Sequence, residues 1–287
     1  MNRPAYLTET GIAQFIQAAI SEDIGEGDHS TLSTIPPAKE AKAKLLVKEN
    51  GILAGVELAE KIFRQFDPSL KVTLFKKDGD TIVKGDIAFE VRGKARSILS
   101  TERLVLNCMQ RMSGIATYTN RLCKLIDGTS AQLIDTRKTT PNFRLMEKWA
   151  VAIGGGRNHR FALYDMVMLK DNHIDVAGGI SDAVSNAVKY LKAEHKKLLI
   201  EVETRNLREV QEALNTQAVD IILLDNMSTS EMTKAVKLIS GKCKTEASGG
   251  ITEVTLRATA ECGVDYISMG ALTHSVKSLD LSLKIFE

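Results

Sequence analysis

The second half of the chain alternates short apolar runs with helical patterns, and that alternation limits the fold more than any other feature. The runs are Gln132–Asp135, Met166–Leu169, Leu198–Val202, Ile221–Leu224, Thr245–Ala247 and Tyr266–Ser268. Helical spacing of apolar residues is read between most of them, over residues 144–153, 181–193, 207–214, 228–239 and 254–262. Strand–helix alternation implies a parallel sheet covered by helices, and six units in this length imply a barrel or most of one.

The first half reads differently. Ile12, Phe15, Ile16, Ala19 and Ile20 make one face of an amphipathic helix over residues 9–21, and the Gly- and Asp-rich stretch 22–31 reads as a loop. Short apolar or alternating runs at 41–47, 71–75 and 87–93, with a helix at 56–66, predict an α+β unit with antiparallel strands. A long helix follows over 95–126, with a break expected near Ser113-Gly114. The closing LSLKIFE alternates like a strand and is expected to return to the N-terminal unit. The fold class is therefore α/β, in two domains. Residues 1–113, joined by 271–287, form an α/β sandwich, and 114–270 form an incomplete parallel barrel of six strands.

Charge and composition remove several functions. Lys and Arg total 38 against 36 Asp and Glu, a net charge of +2. Such a balance does not suit a protein that coats nucleic acid or an anionic membrane. The four cysteines show no C-x-x-C pair and no His at zinc spacing, so they read as free thiols in a reducing compartment. The N-terminal residues lack a signal-peptide pattern, and no apolar run reaches membrane-spanning length. The expected location is cytoplasmic.

Catalytic groups of parallel barrels gather just after the C-terminal ends of the strands. Here those places hold Thr136, Arg137 and Lys138; Lys170; Glu203; Asp225; Ser248, Gly249 and Gly250; and Ser268, Met269 and Gly270. The loop after the first strand adds His159 and Arg160. From Arg137 to Lys170 seven Lys or Arg stand against two acids, a surplus of five in a chain whose total is +2. A rim so charged suits anions, and glycine turns after the last strands suit a phosphate. In that setting Glu203 and Asp225 suit Mg²⁺ or ribose hydroxyls. Taken singly, each piece has a plainer reading as surface charge, turn or helix cap. It is their convergence on one rim that points to a site.

The motifs DTRKTTP (135–141), EKWAVAIGGGRNHR (147–160), KDNHI (170–174), EVE (201–203), LLDNM (223–227), EASGGI (246–251) and ISMGALTHS (267–275) follow one another in an order and spacing that resembles the quinolinate phosphoribosyltransferases. EDIGEGDHST (22–31) and STERLVLNCMQRMSGIAT (100–117) extend the resemblance over nearly the whole chain. It implies a homodimer, or a hexamer built as a trimer of dimers, with active sites shared between subunits. The substrates it implies are quinolinate and phosphoribosyl pyrophosphate, with Mg²⁺ as cofactor and no nucleic-acid or membrane partner. By motif, Thr136, Arg137, Lys138, His159, Arg160 and Lys170 would line the quinolinate site, with Arg103 reaching in from the partner. Glu203 and Asp225 would serve the ribose and Mg²⁺. Ser248, Gly249, Gly250, Ser268, Met269 and Gly270 would hold the 5′-phosphate. Lys138, Glu203 and Asp225 are the catalytic candidates. The chain departs from the family pattern at Asn142-Phe143, Trp149 and Phe161–Leu163. Asn142 replaces a frequent Gly, and Asn tolerates left-handed backbone best among the other residues.

Two rival readings follow from the same residues. A phosphoribosyltransferase acting on a monocarboxylate such as nicotinate would need fewer cations. An RNA-binding protein using the basic segment would need interleaved aromatics, which the segment lacks.

Overall fold

The computed structural model describes residues 4–286. Met1, Asn2, Arg3 and Glu287, which the expected domain ranges include, lie outside the described residues. The elements run α1 (Glu9–Ile24), α2 (His29–Thr34), β1 (Glu40–Val47), β2 (Gly51–Ile52), α3 (Val56–Phe66), β3 (Lys71–Leu74), β4 (Thr81–Ile82), β5 (Ile87–Lys94) and α4 (Ala95–Leu125). Then come β6 (Gln132–Ile134), α5 (Arg144–Ile153), β7 (Val167–Leu169), α6 (Asp171–Ala177), α7 (Ile180–Ala193), β8 (Ile200–Thr204) and α8 (Leu207–Asn215). The chain closes with β9 (Ile221–Asp225), α9 (Thr229–Ile239), β10 (Lys244–Ser248), α10 (Glu253–Glu261), β11 (Tyr266–Ser268), α11 (Ala271–His274) and β12 (Leu281–Phe286).

Two compact units result. One holds the chain up to Asn120, then Lys138–Gly155 and everything from Ala271 on; the other holds Arg121–Arg137 and Gly156–Gly270. Segments 114–120 and 138–155, the latter with α5, thus group with the first unit, although the sequence reading assigned both to the barrel.

In the first unit an antiparallel sheet has the order β12-β1-β5-β3. β12 pairs with β1 from Lys42↔Phe286 to Val47↔Leu281, so the end of the chain completes this sheet. α3 buries Leu58, Ala59, Ile62 and Phe63, and Phe63 meets Phe89 of β5 edge-on at 5.9 Å. Burying one such ring stabilises the sandwich by about 2–3 kcal/mol.

Two local expectations fail here. α4 runs through Ser113-Gly114 without a break. Ser113 is used sideways: its Oγ accepts from the Ala54 N–H at 2.9 Å and donates to the Ala54 carbonyl at 3.1 Å. Gly114 lets the 277–278 backbone lie against the helix, since a Cβ would run into the Lys277 carbonyl. The glycine marks close packing rather than a hinge. The stretch 22–31 is also not all loop. α1 continues to Ile24, and Asp28 caps α2 by accepting from the Thr31 N–H at 3.0 Å.

In the second unit six strands pair in the order β6-β11-β10-β9-β8-β7, every neighbour parallel. β7 to β11 follow chain order and β6 lies beside β11, which is a barrel opened between β6 and β7. A doubly wound sheet would reverse its strand order midway. On its other side β6 makes an isolated parallel bridge, Ile134 with Arg157. Because all strands run one way, their C-terminal ends share one edge, and the candidate residues of this unit stand there.

Candidate active site

Of the residues expected in the site, Thr136, Arg137, His159, Arg160, Lys170, Glu203, Asp225, Ser248, Gly249, Gly250, Ser268, Met269 and Gly270 belong to the barrel unit. Most follow or end a strand directly. Arg137 comes three residues after β6, Lys170 follows β7, Glu203 is the penultimate residue of β8, and Asp225 and Ser248 end β9 and β10. His159 and Arg160 arrive through the 156–160 loop, which Asp135 holds from the end of β6. The buried Asp135 carboxylate accepts from the His159 N–H at 2.9 Å and from Asn158 Nδ2 at 2.6 Å.

The cations are crowded. The Arg160 pKa is lowered by partial burial and then by the nearby charge of Arg137, with Glu201 and Asp165 acting the other way. The Arg160 side chain is anchored by a hydrogen bond to the Met166 carbonyl at 3.3 Å. Two guanidinium groups that repel each other in a half-buried place bind a dianion well, because it relieves the repulsion and accepts planar bidentate bonds.

Beside them lies a buried acidic trio. His159 Nε2 is 3.0 Å from Glu201 Oε2 and 3.3 Å from Glu246 Oε2. Both glutamates are buried, and neither Glu201 oxygen accepts a well-aligned hydrogen bond. Burial would by itself lower the His159 pKa, but the two carboxylates outweigh it and push it up to about 10. The Arg160 N–H donates to His159 Nδ1 at 2.6 Å, which opposes a proton there. The carboxylates hold a proton at Nε2, and the Arg160 N–H makes Nδ1 the harder of the two nitrogens to protonate. Glu201 is itself raised to about 7, by burial and then by Glu246.

The other acidic pair is more open. Glu203 is raised by burial and then by the charge of Asp225, while Lys170 pulls the other way. Two carboxylates that feel each other's charge at the ends of β8 and β9 are of a kind that could hold a hard divalent cation. The turn after β10 is tightly determined. Gly249 has φ +88°, and a Cβ on it would fall on the Asn226 side chain. Asn226 is itself left-handed at φ +53° and donates from Nδ2 to Asp225 Oδ2 at 2.7 Å. The Ser248–Gly250 turn leads into α10, whose N-terminus Thr252 caps.

Not every expected residue takes the expected place. Lys138 and Arg103 belong to the first unit, both exposed, Arg103 on α4. Ser268 and Met269 are buried, with Ser268 Oγ–H directed at the Ala247 carbonyl and the Met269 N–H donating to the Ile134 carbonyl at 3.0 Å, so neither of these donors is offered to a ligand. The surplus of cations does not all converge. Lys148 is fully buried in α5, Arg144 donates to Thr139 Oγ1 at 2.9 Å, and Arg157 donates to Gln132 Oε1 at 2.5 Å. Asn142 adopts φ +61°, the left-handed turn that its replacement of Gly requires.

The sequence reading missed Asp135 and Glu246 as supports of the site and gave Glu201 no role. The signal for Glu201 was available: it shares a strand face with Glu203 at period two.

The model of the quinolinate phosphoribosyl transferase C-terminal domain matches residues 115–284, and that of the N-terminal domain matches 28–113. The chain belongs to the quinolinate phosphoribosyltransferase family. A chloroplastic nicotinate-nucleotide pyrophosphorylase of Oryza sativa is 50% identical over 285 residues, covering 94% of this chain and 76% of that protein. A probable nicotinate-nucleotide pyrophosphorylase of Bacillus subtilis is 44% identical, covering 92% of this chain and 90% of that one. The crystal structure of NadC from Streptococcus pyogenes superposes with a TM-score of 0.90 at 40% identity, over 98% of this chain and 99% of that one. The family's two-domain α/β pattern is thus the one seen here, a separate N-terminal sheet and a parallel six-stranded sheet.

Proposed function

We propose that the chain is a decarboxylating quinolinate phosphoribosyltransferase of NAD biosynthesis. It transfers the phosphoribosyl group of phosphoribosyl pyrophosphate to quinolinate and releases nicotinate mononucleotide, pyrophosphate and CO₂. The observation that carries this reading is the nearness of Arg137, after β6, to Arg160, in the 156–160 loop, two mutually repelling cations that would receive two carboxylates. Lys170 at the end of β7 adds a third cation within the same unit. The names of relatives at 50% and 44% identity support the reaction.

The chemistry follows from the groups. Arg137, Arg160 and Lys170 hold the dicarboxylate so that its ring nitrogen faces the sugar. The nitrogen's electron pair bonds to the anomeric carbon as the bond to pyrophosphate breaks. Positive charge builds on the sugar, and the carboxylates of Glu203 and Asp225 stabilise it electrostatically while binding the ribose hydroxyls. In the product the ring nitrogen is cationic and draws in the electron pair left when the 2-carboxylate departs as CO₂. A proton then takes its place. The Ser248–Gly250 turn would present N–H groups to the 5′-phosphate, with Gly270 beyond the end of β11 as the nearest backbone from the Ser268–Gly270 stretch, since the Met269 N–H is taken by the Ile134 carbonyl.

Glu203 and Asp225 would hold Mg²⁺, a role supported by the charge of Asp225 bearing on Glu203. When bound, Mg²⁺ would neutralise charge on the leaving pyrophosphate. The proposal includes a homodimer or a multiple of it, in which the exposed Arg103 of one subunit and the exposed Lys138 complete a site, Arg103 entering from the partner. It also includes a cytoplasmic location, for which the four free cysteines speak. The plant relatives carry names marked chloroplastic or mitochondrial, and tagged protein in cell fractions decides for this chain. Among the described residues no helix is long and apolar enough to cross a membrane.

Thermal unfolding with added ligands tests the substrate reading. Quinolinate should raise the Tm and nicotinate should not, because only the dicarboxylate satisfies both guanidinium groups. An equal rise with nicotinate would defeat it.

A further inference from the structure

We propose that Glu201 and Glu246 are positioning residues of the quinolinate site, acting through His159 to fix Arg160, and that His159 presents neither ring nitrogen to the substrate. This rests on the reading that Arg160 holds quinolinate.

The geometry points to it in steps. His159 offers a ligand two ring nitrogens and no other polar side-chain atom. Nε2 lies 3.0 Å from Glu201 and 3.3 Å from Glu246. Nδ1 receives the Arg160 N–H at 2.6 Å. Both nitrogens are therefore engaged by the protein, and the side chain is 7% exposed. The His159 backbone is also held, its N–H donating to the buried Asp135. His159 thus ties three strands together: β6 through Asp135 at its backbone N–H, and β8 through Glu201 and β10 through Glu246 at its ring. Arg160 is the next residue, and its backbone N–H is itself part of the tie.

A surface role does not explain the pair of glutamates. Isolated buried carboxylates carry a heavy desolvation cost, and two side by side repel each other. Glu201 and Glu246 are 0% and 1% exposed. What they face is one imidazole, and the arginine next to it in sequence feels the charge of Glu201. Their effect is to hold that imidazole in one orientation with the proton on Nε2. The loop that carries Arg160 is thereby fixed from behind, leaving for the ligand those guanidinium N–H groups that the Met166 carbonyl does not take. The distances also match the spacing of ligands around a metal ion, since the three ligating atoms lie within 4.8 Å of one another. The positioning reading needs no added ion, and the test separates the two.

The test uses the intact protein with Glu246→Gln, Glu246→Ala and Glu201→Gln, in steady-state kinetics and in histidine ¹⁵N NMR. Glu246→Ala should raise the KM for quinolinate by about 10-fold to 100-fold, the range for losing a hydrogen bond to a charged group. The KM for phosphoribosyl pyrophosphate should move less than about threefold, which is about 0.65 kcal/mol. Glu246→Gln, whose amide oxygen can still accept from Nε2, should recover most of the loss. In the NMR spectrum His159 should show a proton on Nε2 and an accepting Nδ1, both unchanged when quinolinate binds. Equal rises in both KM values would mean a merely structural role and overturn the proposal. A His159 nitrogen that shifts on quinolinate binding, or zinc retained with His159 as a ligand, would overturn it as well. If the wild type turns over no quinolinate, the proposed function fails. The NMR arm, read without ligand, still reports whether the trio holds the ring as described.

Discussion

Breaking the buried ion pair between Arg111 and Glu147 should destabilise the first unit and disorder the segment that follows Arg137-Lys138. Glu147 is fully buried in α5, and its Oε1 accepts from Arg111 Nε at 3.1 Å and Nη2 at 2.8 Å. Its carboxylate also accepts from the Thr140 N–H and Thr140 Oγ1, each at 3.0 Å. Arg111 further donates to the carbonyls of Val276 and Thr273. Removing one partner of a buried pair costs about 3–5 kcal/mol, because the other charge is left without compensation. The Arg111 side chain is 23% exposed, so water recovers part of this and about 2–4 kcal/mol is expected for Arg111→Met. With an unfolding entropy of about 2.1 cal/mol/K per residue over 287 residues, that is a Tm drop of roughly 3–7 °C. Glu147→Met should cost a similar amount. The double variant Arg111→Met/Glu147→Met should lose less than the two added, by about 1–3 kcal/mol, since it leaves no charge stranded. Calorimetric melts of the four proteins measure the cycle. Strictly additive losses would refute the argument that each charge is held by the other. Activity should fall with stability, because Thr140 hangs from Glu147 and Thr273 Oγ1 donates to the Lys138 carbonyl at 2.7 Å.

Three further outcomes are expected. Arg137→Ala or Arg160→Ala should weaken quinolinate binding by about 2–5 kcal/mol in titration calorimetry, the lower end applying to the half-exposed Arg160; unchanged affinity in both would remove the dicarboxylate receptor. Gly249→Ala should lower affinity for phosphoribosyl pyrophosphate and cost about 1–2 kcal/mol of stability, since it adds a left-handed side chain that meets Asn226; wild-type binding would show that the turn does not hold the phosphate. Arg103→Ala and Lys138→Ala should each be nearly inactive alone, yet regain roughly a quarter of wild-type activity after subunit exchange, because one site of each mixed dimer carries neither lesion; no recovery, with exchange verified by native mass spectrometry, would place Arg103 in its own subunit's site or in none.

The architecture was readable where burial is uniform and missed where chemistry is local. The six parallel strands appear within a few residues of their apolar runs, because strands covered on both faces are rich in apolar residues, with the charged exceptions in β8 and β10 serving the site. The unbroken α4 was not readable, because a glycine inside a helical pattern does not disclose what backbone packs against it. Only the fold brings Lys277 to Gly114. α6 was not among the expected helices, because seven residues starting at Asp171 are too few to show a helical period. The strand-end charges were legible from their position alone. Their supports were not, since Asp135, Glu201 and Glu246 become partners of one histidine loop only when β6, β8 and β10 are closed toward one another. Counting cations overstated the site for the same reason: the count included Lys148, which the fold buries in α5.

Quinolinate labelled in its 2-carboxylate tests the central claim most directly. Incubated with the protein, phosphoribosyl pyrophosphate and Mg²⁺, it should release labelled CO₂ in equal amount to the nicotinate mononucleotide formed. None should appear without phosphoribosyl pyrophosphate, since the carboxylate leaves only once the ring nitrogen is bonded to the sugar. Nucleotide formed from nicotinate without CO₂, or label released without the sugar donor, would contradict the account.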